Sequence, residues 1–192
     1  MYDIPNVEEK RRPLRQEFLE YLQIFVIAGI LAFLVTGFVA QPFLVDGSSM
    51  EPTLHNGQRL LVNKFLYRFA LPREGDIVVF RYPGDPRLRF IKRVIGVPGD
   101  RVLIRDSHVY VNGRRLAEEY LGGIKTHGDF GPVKVSAGRL FVLGDNRNNS
   151  KDSRYPDVGL VPVGNVVGKA FFVYWPVNDM GSPASARAPR RP

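Results

Sequence analysis

Apolar residues form one long run near the N-terminus of this sequence and many short runs after it. From Tyr21 to Ala40 there is no charged residue, and about twenty apolar residues are what a helix needs to cross the hydrocarbon layer of a membrane. A cleaved signal peptide fits less well, because its apolar core is only ~7–15 residues long and ends at a small-residue cleavage site. A helix buried in a protein core is a further alternative, but no other segment is comparably apolar. The run therefore predicts a transmembrane helix.

The short runs beyond this helix are rich in Val, Ile, Phe and Tyr and are separated by Gly, Pro, Asn and Asp, which is typical of an all-β domain. The predicted strands are Arg59–Asn63, Asp76–Tyr82, Phe90–Ile95, Arg101–Arg105, His108–Val111, Leu140–Leu143 and Val166–Trp175. The Asn112-Gly113 pair indicates a hairpin turn, or equally a link from Val111 to a short extended piece at Arg114–Leu116.

Four segments follow from these patterns. They are a cytoplasmic segment (1–20), the transmembrane helix (21–40), an extracytoplasmic main domain (41–178) and a basic tail without fixed structure (179–192). The orientation follows from Lys10, Arg11, Arg12 and Arg15, which precede the helix, because basic residues are enriched on the cytoplasmic side of a membrane.

Charge and composition narrow the possible functions. The net charge is +8, but no segment carries the basic stripe with interleaved aromatics that nucleic-acid binding needs, so no nucleic-acid partner is expected. The chain has no cysteine, which excludes disulfides, thiolate nucleophiles and cysteine-based zinc sites. Motifs such as HExxH or a phosphate-binding glycine loop are also missing, so no metal or cofactor is expected.

Ser49 is a candidate nucleophile in the segment VDGSSMEPTLHNG. Taken alone, a serine among small residues is usually a turn residue. A serine nucleophile needs a base, and none of the histidines (His55, His108 and His127) is placed to serve as one. Lysine can replace histidine only where burial lowers its pKa from its ordinary value of ~10.4.

Lys92 is such a lysine, since it lies in the apolar segment RFIKRVIG. The two-residue period of a strand places it on one face with Phe90 and Val94, and places Arg93 on the other face. The alternative is that Lys92 and Arg93 protect an exposed edge strand from aggregation. A third segment, FVLGDNRNNSKDSRYPDVG, is either a network of polar residues that positions a site or a solvated loop.

Together, these segments resemble the bacterial type I signal peptidases, the Ser/Lys enzymes that remove signal peptides from exported proteins. The blocks that carry the resemblance are GSSMEPTL (47–54), the following RLLVNKF, GDIVVFRYP (75–83), FIKRVIGVPGD (90–100) and GDNRNNSKDSR (144–154). The resemblance implies a mostly β fold, with the N-terminal transmembrane helix followed by an antiparallel β-sheet catalytic domain. The implied activity is that of a membrane-bound serine endopeptidase acting through an acyl-enzyme.

By this resemblance Ser49, directly before Met50, is the nucleophile and Lys92 is the general base. The resemblance also implies that Ser150 forms a hydrogen bond with the lysine amine and orients it. Gly47 stands where some members carry a serine that helps to bind the oxyanion. A backbone N–H that glycine's conformational freedom brings into place could supply that donor instead.

Asp145 and Asp152 are implied to be supporting acids, paired with Arg93 and Arg154. The implied partners are the signal peptides of exported preproteins and membrane lipid, and the enzyme is expected to be a monomer. The implied location is the bacterial cell (inner) membrane, crossed once. Two other classes remain open: a soluble, self-cleaving Ser/Lys regulator, which the Tyr21–Ala40 run argues against, and a catalytically silent, membrane-anchored binding module.

Overall fold

The computed structural model describes residues 14–34 and 40–183. The chain divides into an N-terminal unit, residues 1–37, and a larger unit from residue 38 onward. The N-terminal unit contains helix α1 (Leu14–Leu34). Within the described ranges, no helix combines the length and the apolar character required to cross a membrane.

Helix α1 differs from the predicted transmembrane helix at both ends. It begins at Leu14, inside the segment predicted to be cytoplasmic, because residues 14–23 are mostly Leu, Glu and Gln, which favour helix. At the other end, Ala40 lies in the first strand of the larger unit. Residues 35–39 of the predicted span, and residues 1–13, lie outside the described residues.

Antiparallel strands are the main regular elements of the larger unit. The sequence patterns predicted a mostly β domain, and the resemblance implied that its sheets are antiparallel. The strands are β1 (Ala40–Leu44), β2 (Arg59–Asn63), β3 (Ile77–Tyr82), β4 (Asp85–Gly96), β5 (Arg101–Arg105), β6 (His108–Val111), β7 (Arg114–Arg115), β8 (Phe130–Lys134), β9 (Arg139–Leu143), β10 (Val161–Pro162) and β11 (Val166–Trp175). They form a seven-stranded sheet in the order β1-β2-β11-β3-β4-β9-β10 and a four-stranded sheet in the order β7-β6-β5-β8.

Three strands that the sequence analysis missed lie at sheet edges and contain proline. They are β1, β8 and β10, with Pro42, Pro132 and Pro162. Proline cannot donate a backbone hydrogen bond, so it is tolerated only in edge strands. A proline in a short run therefore argues against a strand when only the sequence is considered. The Asn112-Gly113 turn joins β6 to β7, and both of its residues have positive φ, as a tight hairpin requires.

Three apolar clusters form the core of the larger unit. They hold in place the strands beside the candidate site residues, such as Lys92 and Arg93 of β4. One cluster includes Met50, Leu54 and Leu60, a second contains Phe80 and Val94, and the third joins the two sheets. Central strand β3 is buried on both faces, with Ile77 and Val79 in the first cluster and Val78, Phe80 and Tyr82 in the second. The two clusters therefore lie on opposite faces of the sheet at β3.

The beginning of the predicted tail belongs to this folded unit. Asp179 accepts a hydrogen bond from Gln58 Nε2 at 2.7 Å, and Gly181 pairs with Val173 of β11. These contacts explain why the chain is ordered beyond the predicted boundary at residue 178. Residues 184–192 lie outside the described residues.

Candidate active site

Ser49 lies in the turn that follows β1. The turn is closed by backbone hydrogen bonds from Glu51 to Ser48 at 3.1 Å and from Leu54 to Met50 at 2.9 Å. Met50 and Leu54 are 1% and 0% exposed, so the turn is anchored in the core while Ser49 stays partly accessible. Burial of the residue after the serine thus fixes the position of the nucleophile candidate.

Lys92 is buried on β4 and is in direct contact with Ser49. Its Nζ lies 2.7 Å from Ser49 Oγ and also donates to the carbonyl oxygen of Ile91 at 2.8 Å. The Phe90 ring lies on the same face, with its centroid 5.4 Å from Nζ, as the strand period predicted. Burial lowers the pKa of Lys92 to about 8, although the negative charges of Asp152 and Asp145 oppose this change.

Asp145 is the centre of a buried network on the other side of β4. Arg93 donates to it twice, from Nε at 2.9 Å and from Nη2 at 2.6 Å. Thr53 Oγ1 donates to the same carboxylate at 2.5 Å. A buried ion pair is tolerated when further hydrogen bonds satisfy its charges, and here they link the strand of the lysine to the turn of the serine.

The loop from residue 144 to residue 154 also holds the backbone of the nucleophile turn. The Asn146 N–H donates to the Ser49 carbonyl oxygen at 3.0 Å. Asn146 Nδ2 donates to the Ser48 carbonyl oxygen at 3.1 Å, and Asn149 Nδ2 donates to Ser48 Oγ at 3.2 Å. These bonds fix the main chain at Ser48 and Ser49, in addition to the burial of Met50 and Leu54.

Asp152 stabilises that loop from within. Its buried carboxylate accepts hydrogen bonds from the Gly144 N–H at 3.0 Å and from Arg154 Nε at 2.8 Å. Arg154 also donates to the Arg147 carbonyl oxygen at 2.6 Å. The expected pairs, Asp145 with Arg93 and Asp152 with Arg154, are therefore both formed in the structure.

Ser150 is arranged differently from what the resemblance implies. Its buried Oγ has no hydrogen-bond partner among the described residues, whereas the Lys92 amine donates to Ser49 and Ile91. Ser150 instead packs on Gly144, where a Cβ would lie 2.1 Å from Ser150 Oγ and 2.5 Å from the Ser49 carbonyl oxygen. Only glycine fits at residue 144.

Gly47 has a φ of +98°, a conformation that favours glycine. Its N–H donates to Asn56 Oδ1 at 2.9 Å. In this structure the Gly47 N–H therefore closes the loop around residues 47–56, and the expectation that such an N–H supplies an oxyanion donor stays a prediction.

A cleft of about 260 Å³ leads to Ser49 and Lys92. One wall is the end of β1 and the residues after it, and the other wall is the segment 89–91 of β4. The apolar side chains of Leu60 and Val79 also line it. Residues 85–91 of β4 pair with β3, and β9 joins β4 only from Arg93 onward, which leaves one edge of β4 open beside the cleft.

The histidines lie away from this pair. His55 and His127 are exposed, and the ring of His108 contacts the Asp106 carbonyl oxygen. In the described part of the chain, no three His, Asp or Glu side chains are grouped so that they could hold a metal ion. The groups that contact each other in the cleft are the Ser49 hydroxyl and the Lys92 amine.

Sequence reasoning did not single out Thr53 and Asn146, which contact Asp145 and Ser49. Both lie inside the sequence blocks that carried the resemblance, so their position in those blocks was an available signal. Tyr120, which packs on Arg93, lies outside every block, and no pattern in the sequence marks it.

Comparisons with known proteins identify relatives of this chain. The family described as "Signal peptidase, peptidase S26" matches residues 18–175. Signal peptidase I T of Bacillus subtilis is 42% identical over 91% of this chain and 94% of its own length, and signal peptidase I of Bacillus licheniformis is 41% identical over 90% and 97%. A crystal structure of a signal peptidase I from Enterococcus faecalis V583 aligns with a TM-score of 0.47 and 36% identity, over 52% of this chain and 97% of that one.

Proposed function

Because the chain belongs to the signal peptidase family, peptidase S26, and is therefore a peptidase, we propose that it removes N-terminal signal peptides from exported preproteins with Ser49 as nucleophile and Lys92 as general base. The observation that carries this proposal is the 2.7 Å contact between Lys92 Nζ and Ser49 Oγ. That distance is within the range needed for proton transfer between a nucleophile and its base.

The proposed reaction proceeds through an acyl-enzyme on Ser49. Neutral Lys92 takes the hydroxyl proton as Oγ attacks the scissile carbonyl, and gives it to the departing amine. Lys92 then activates the water that hydrolyses the ester. A lysine with a pKa of about 8 is neutral in roughly one molecule in ten at pH 7, whereas a solvated lysine is neutral in fewer than about one in a thousand. We propose the Ser49 N–H as one oxyanion donor.

The remaining polar residues support this pair. Asp145 with Arg93, and Asp152 with Arg154, hold the loop around residues 144–154, and Met50 and Gly47 shape the nucleophile turn. Ser150 Oγ is buried and has no hydrogen-bond partner in the part of the chain that the structure describes. We propose that it binds the Lys92 amine when substrate displaces the contact between Lys92 and Ser49. Gly144 leaves the space in which Ser150 lies.

The substrate segment is proposed to bind as an added strand along the open edge of β4. Its backbone pairs with residues 89–91, and its alternate side chains enter the cleft. The cleft volume of about 260 Å³ is below the ~300–1,000 Å³ of pockets for drug-sized ligands. Leu60 and Val79 supply part of the apolar lining, which also contains charged residues such as Asp46 and Arg89, so the small volume of the cleft is what favours small side chains.

Small residues at two substrate positions should therefore control cleavage. A preprotein with Ala one and three residues before the scissile bond is expected to be processed by the purified protein in detergent. Lys or Phe at either position should lower kcat/KM by ~100-fold or more, because a cleft of about 260 Å³ has no room for a long or bulky side chain. Product yield and N-terminal sequencing measure this, and equal processing of all variants would refute the small-pocket specificity.

We also propose that the protein is anchored in the bacterial inner membrane with a cytoplasmic N-terminus. The support is the charge-free run Tyr21–Ala40, the basic residues before it and the exposure of the apolar side chains of α1, such as Phe18 and Phe25.

This orientation predicts that protease added to sealed spheroplasts reaches the larger unit. Immunoblotting for that unit should show its loss, while a cytoplasmic marker protein in the same sample stays intact. Complete protection of the larger unit until the cells are lysed would reverse the proposed orientation.

A further inference from the structure

Tyr120 lies between two arginines that belong to different parts of the candidate site. It belongs to a short 3-10 helix, Glu119–Leu121, in the connection from β7 to β8 of the small sheet. Its ring lies 3.8 Å from the guanidinium carbon of Arg93. Its hydroxyl oxygen accepts a hydrogen bond from Arg147 Nη2 at 3.1 Å and donates to Glu118 Oε1 at 3.1 Å.

Arg147 is fully buried and has a partner for each part of its guanidinium. Nη2 pairs with Glu118 Oε1 at 2.5 Å, Nη1 donates to Thr126 Oγ1 at 3.2 Å, and Nε donates to the Gly144 carbonyl oxygen at 3.0 Å. Burial opposes the charge of Arg147, but the carboxylate of Glu118 and the Tyr120 hydroxyl outweigh it, so its pKa is raised. Arg147 therefore stays cationic.

Each arginine leads to the nucleophile by a short chain of contacts. Arg93 holds Asp145, which accepts from Thr53 in the nucleophile turn. Arg147 holds Gly144, two residues before Asn146, whose N–H binds the Ser49 carbonyl oxygen. Movement of either guanidinium would move a bond that fixes the main chain at Ser49.

We infer that Tyr120, held by Glu118, is a positioning residue that sets the placement of Ser49 against Lys92 through Arg93 and Arg147. The inference rests on the proposed function of the pair. The inference gives the connection from β7 to β8 of the four-stranded sheet a role in the reaction. None of the described residues of that sheet lines the cleft. Tyr120 acts on the nucleophile without touching substrate.

A role in packing alone makes a different prediction from this one. If Tyr120 serves packing alone, Tyr120→Phe keeps the ring on Arg93 and should leave both activity and stability unchanged. Tyr120→Leu should then change only the thermal midpoint of unfolding. Positioning predicts a loss of kcat at constant KM, because none of Glu118, Tyr120 and Arg147 lines the cleft.

The experiment compares Tyr120→Phe, Tyr120→Leu and Glu118→Gln with the parent protein, full length in detergent, on the preprotein with Ala at both positions. Since a displacement of ~1 Å can cost ~100-fold, we expect kcat to fall ~10–100-fold for Tyr120→Leu and less for Tyr120→Phe. KM should stay within about twofold of the parent. Tyr110→Phe, a tyrosine of β6 in the same sheet, is the matched control and should behave as the parent.

A second measurement does not depend on cleavage. Labelling of Lys92 with a small acylating reagent, located by peptide mass, should be several-fold faster in Tyr120→Leu than in the parent, because Ser49 no longer covers the amine. Parent-like kcat and parent-like labelling in both Tyr120 variants would overturn the inference. An inactive parent would refute the proposed function instead, and the labelling rates would still test the positioning.

Discussion

Replacing Ser49 with alanine is expected to abolish cleavage of a preprotein. The substitution removes the hydroxyl oxygen that lies 2.7 Å from the Lys92 amine and that we propose to form the acyl-enzyme. Loss of a nucleophile lowers kcat by more than ~1,000-fold in hydrolases of this kind. The fold should persist, because Ser49 Oγ is partly exposed and Met50 and Leu54 anchor the turn.

Ser48→Ala is the matched control for this experiment. Its Oγ accepts one exposed hydrogen bond from Asn149, and the bond from Asn146 goes to its main-chain carbonyl, which the substitution keeps. We expect activity within a few-fold of the parent. The decisive measurement is the rate of product formation at saturating preprotein, and comparable rates for Ser49→Ala and the parent would refute Ser49 as nucleophile.

Replacing Lys92 with methionine should also eliminate cleavage, while leaving stability at neutral pH unchanged or higher. Burial lowers the pKa of Lys92 to about 8 in the folded protein, below its ordinary value in the unfolded chain. A lysine whose pKa is lowered on folding destabilises the native state, here by about 3 kcal/mol at low pH. Methionine keeps the length of the side chain without its charge.

The sign of this effect fixes its pH dependence. The destabilisation is fully present below pH 8, the folded pKa, and fades as pH rises toward the unfolded pKa near 10.5. Denaturant unfolding in detergent should therefore show the largest advantage of Lys92→Met below pH 8 and none in strong alkali. For the parent, kcat should rise with pH through about 8 as the amine becomes neutral.

If Lys92 were instead a solvated lysine on an exposed edge strand, the activity and the stability of Lys92→Met would both differ from these expectations. In that case Lys92→Met would keep most of its activity, and its stability would differ from the parent by no more than ~0.5 kcal/mol. An active Lys92→Met protein would refute the proposed base. If that variant were inactive and also strongly destabilised, the labelling rate of Lys92 in the parent would measure its pKa directly.

The strands that consist of a short apolar run between two turn segments were predictable from sequence. β2, β5, β6 and β11 have the predicted boundaries, because local pattern and tertiary position agree there. β4 was predicted from Phe90 but begins at Asp85, since β3 pairs with its polar first half. The pairing partner of a polar segment is a property of the whole sheet, which no local pattern reveals.

The candidate site shows the same division. The face of β4 that carries Lys92 followed from the two-residue period, and the acid–arginine pairs followed from the family resemblance. The resemblance implied a hydrogen bond between the Ser150 hydroxyl and the Lys92 amine. In the structure that amine donates to Ser49 and Ile91 instead. Tyr120 was missed because a half-buried tyrosine in a loop has no sequence signature until its two arginines are brought together.

The bond between Thr53 and Asp145 joins positions 92 residues apart, and this has a consequence for biosynthesis. When Ser49 and Lys92 have both left the ribosome, the loop from residue 144 onward has not yet been synthesised. A nascent chain at that stage carries the hydroxyl and the amine, but it lacks Asp145 and Asn146, which fix their geometry. We therefore expect the geometry of the site to form only after the last quarter of the 192-residue chain has been synthesised, so that an incomplete chain is inactive as a peptidase.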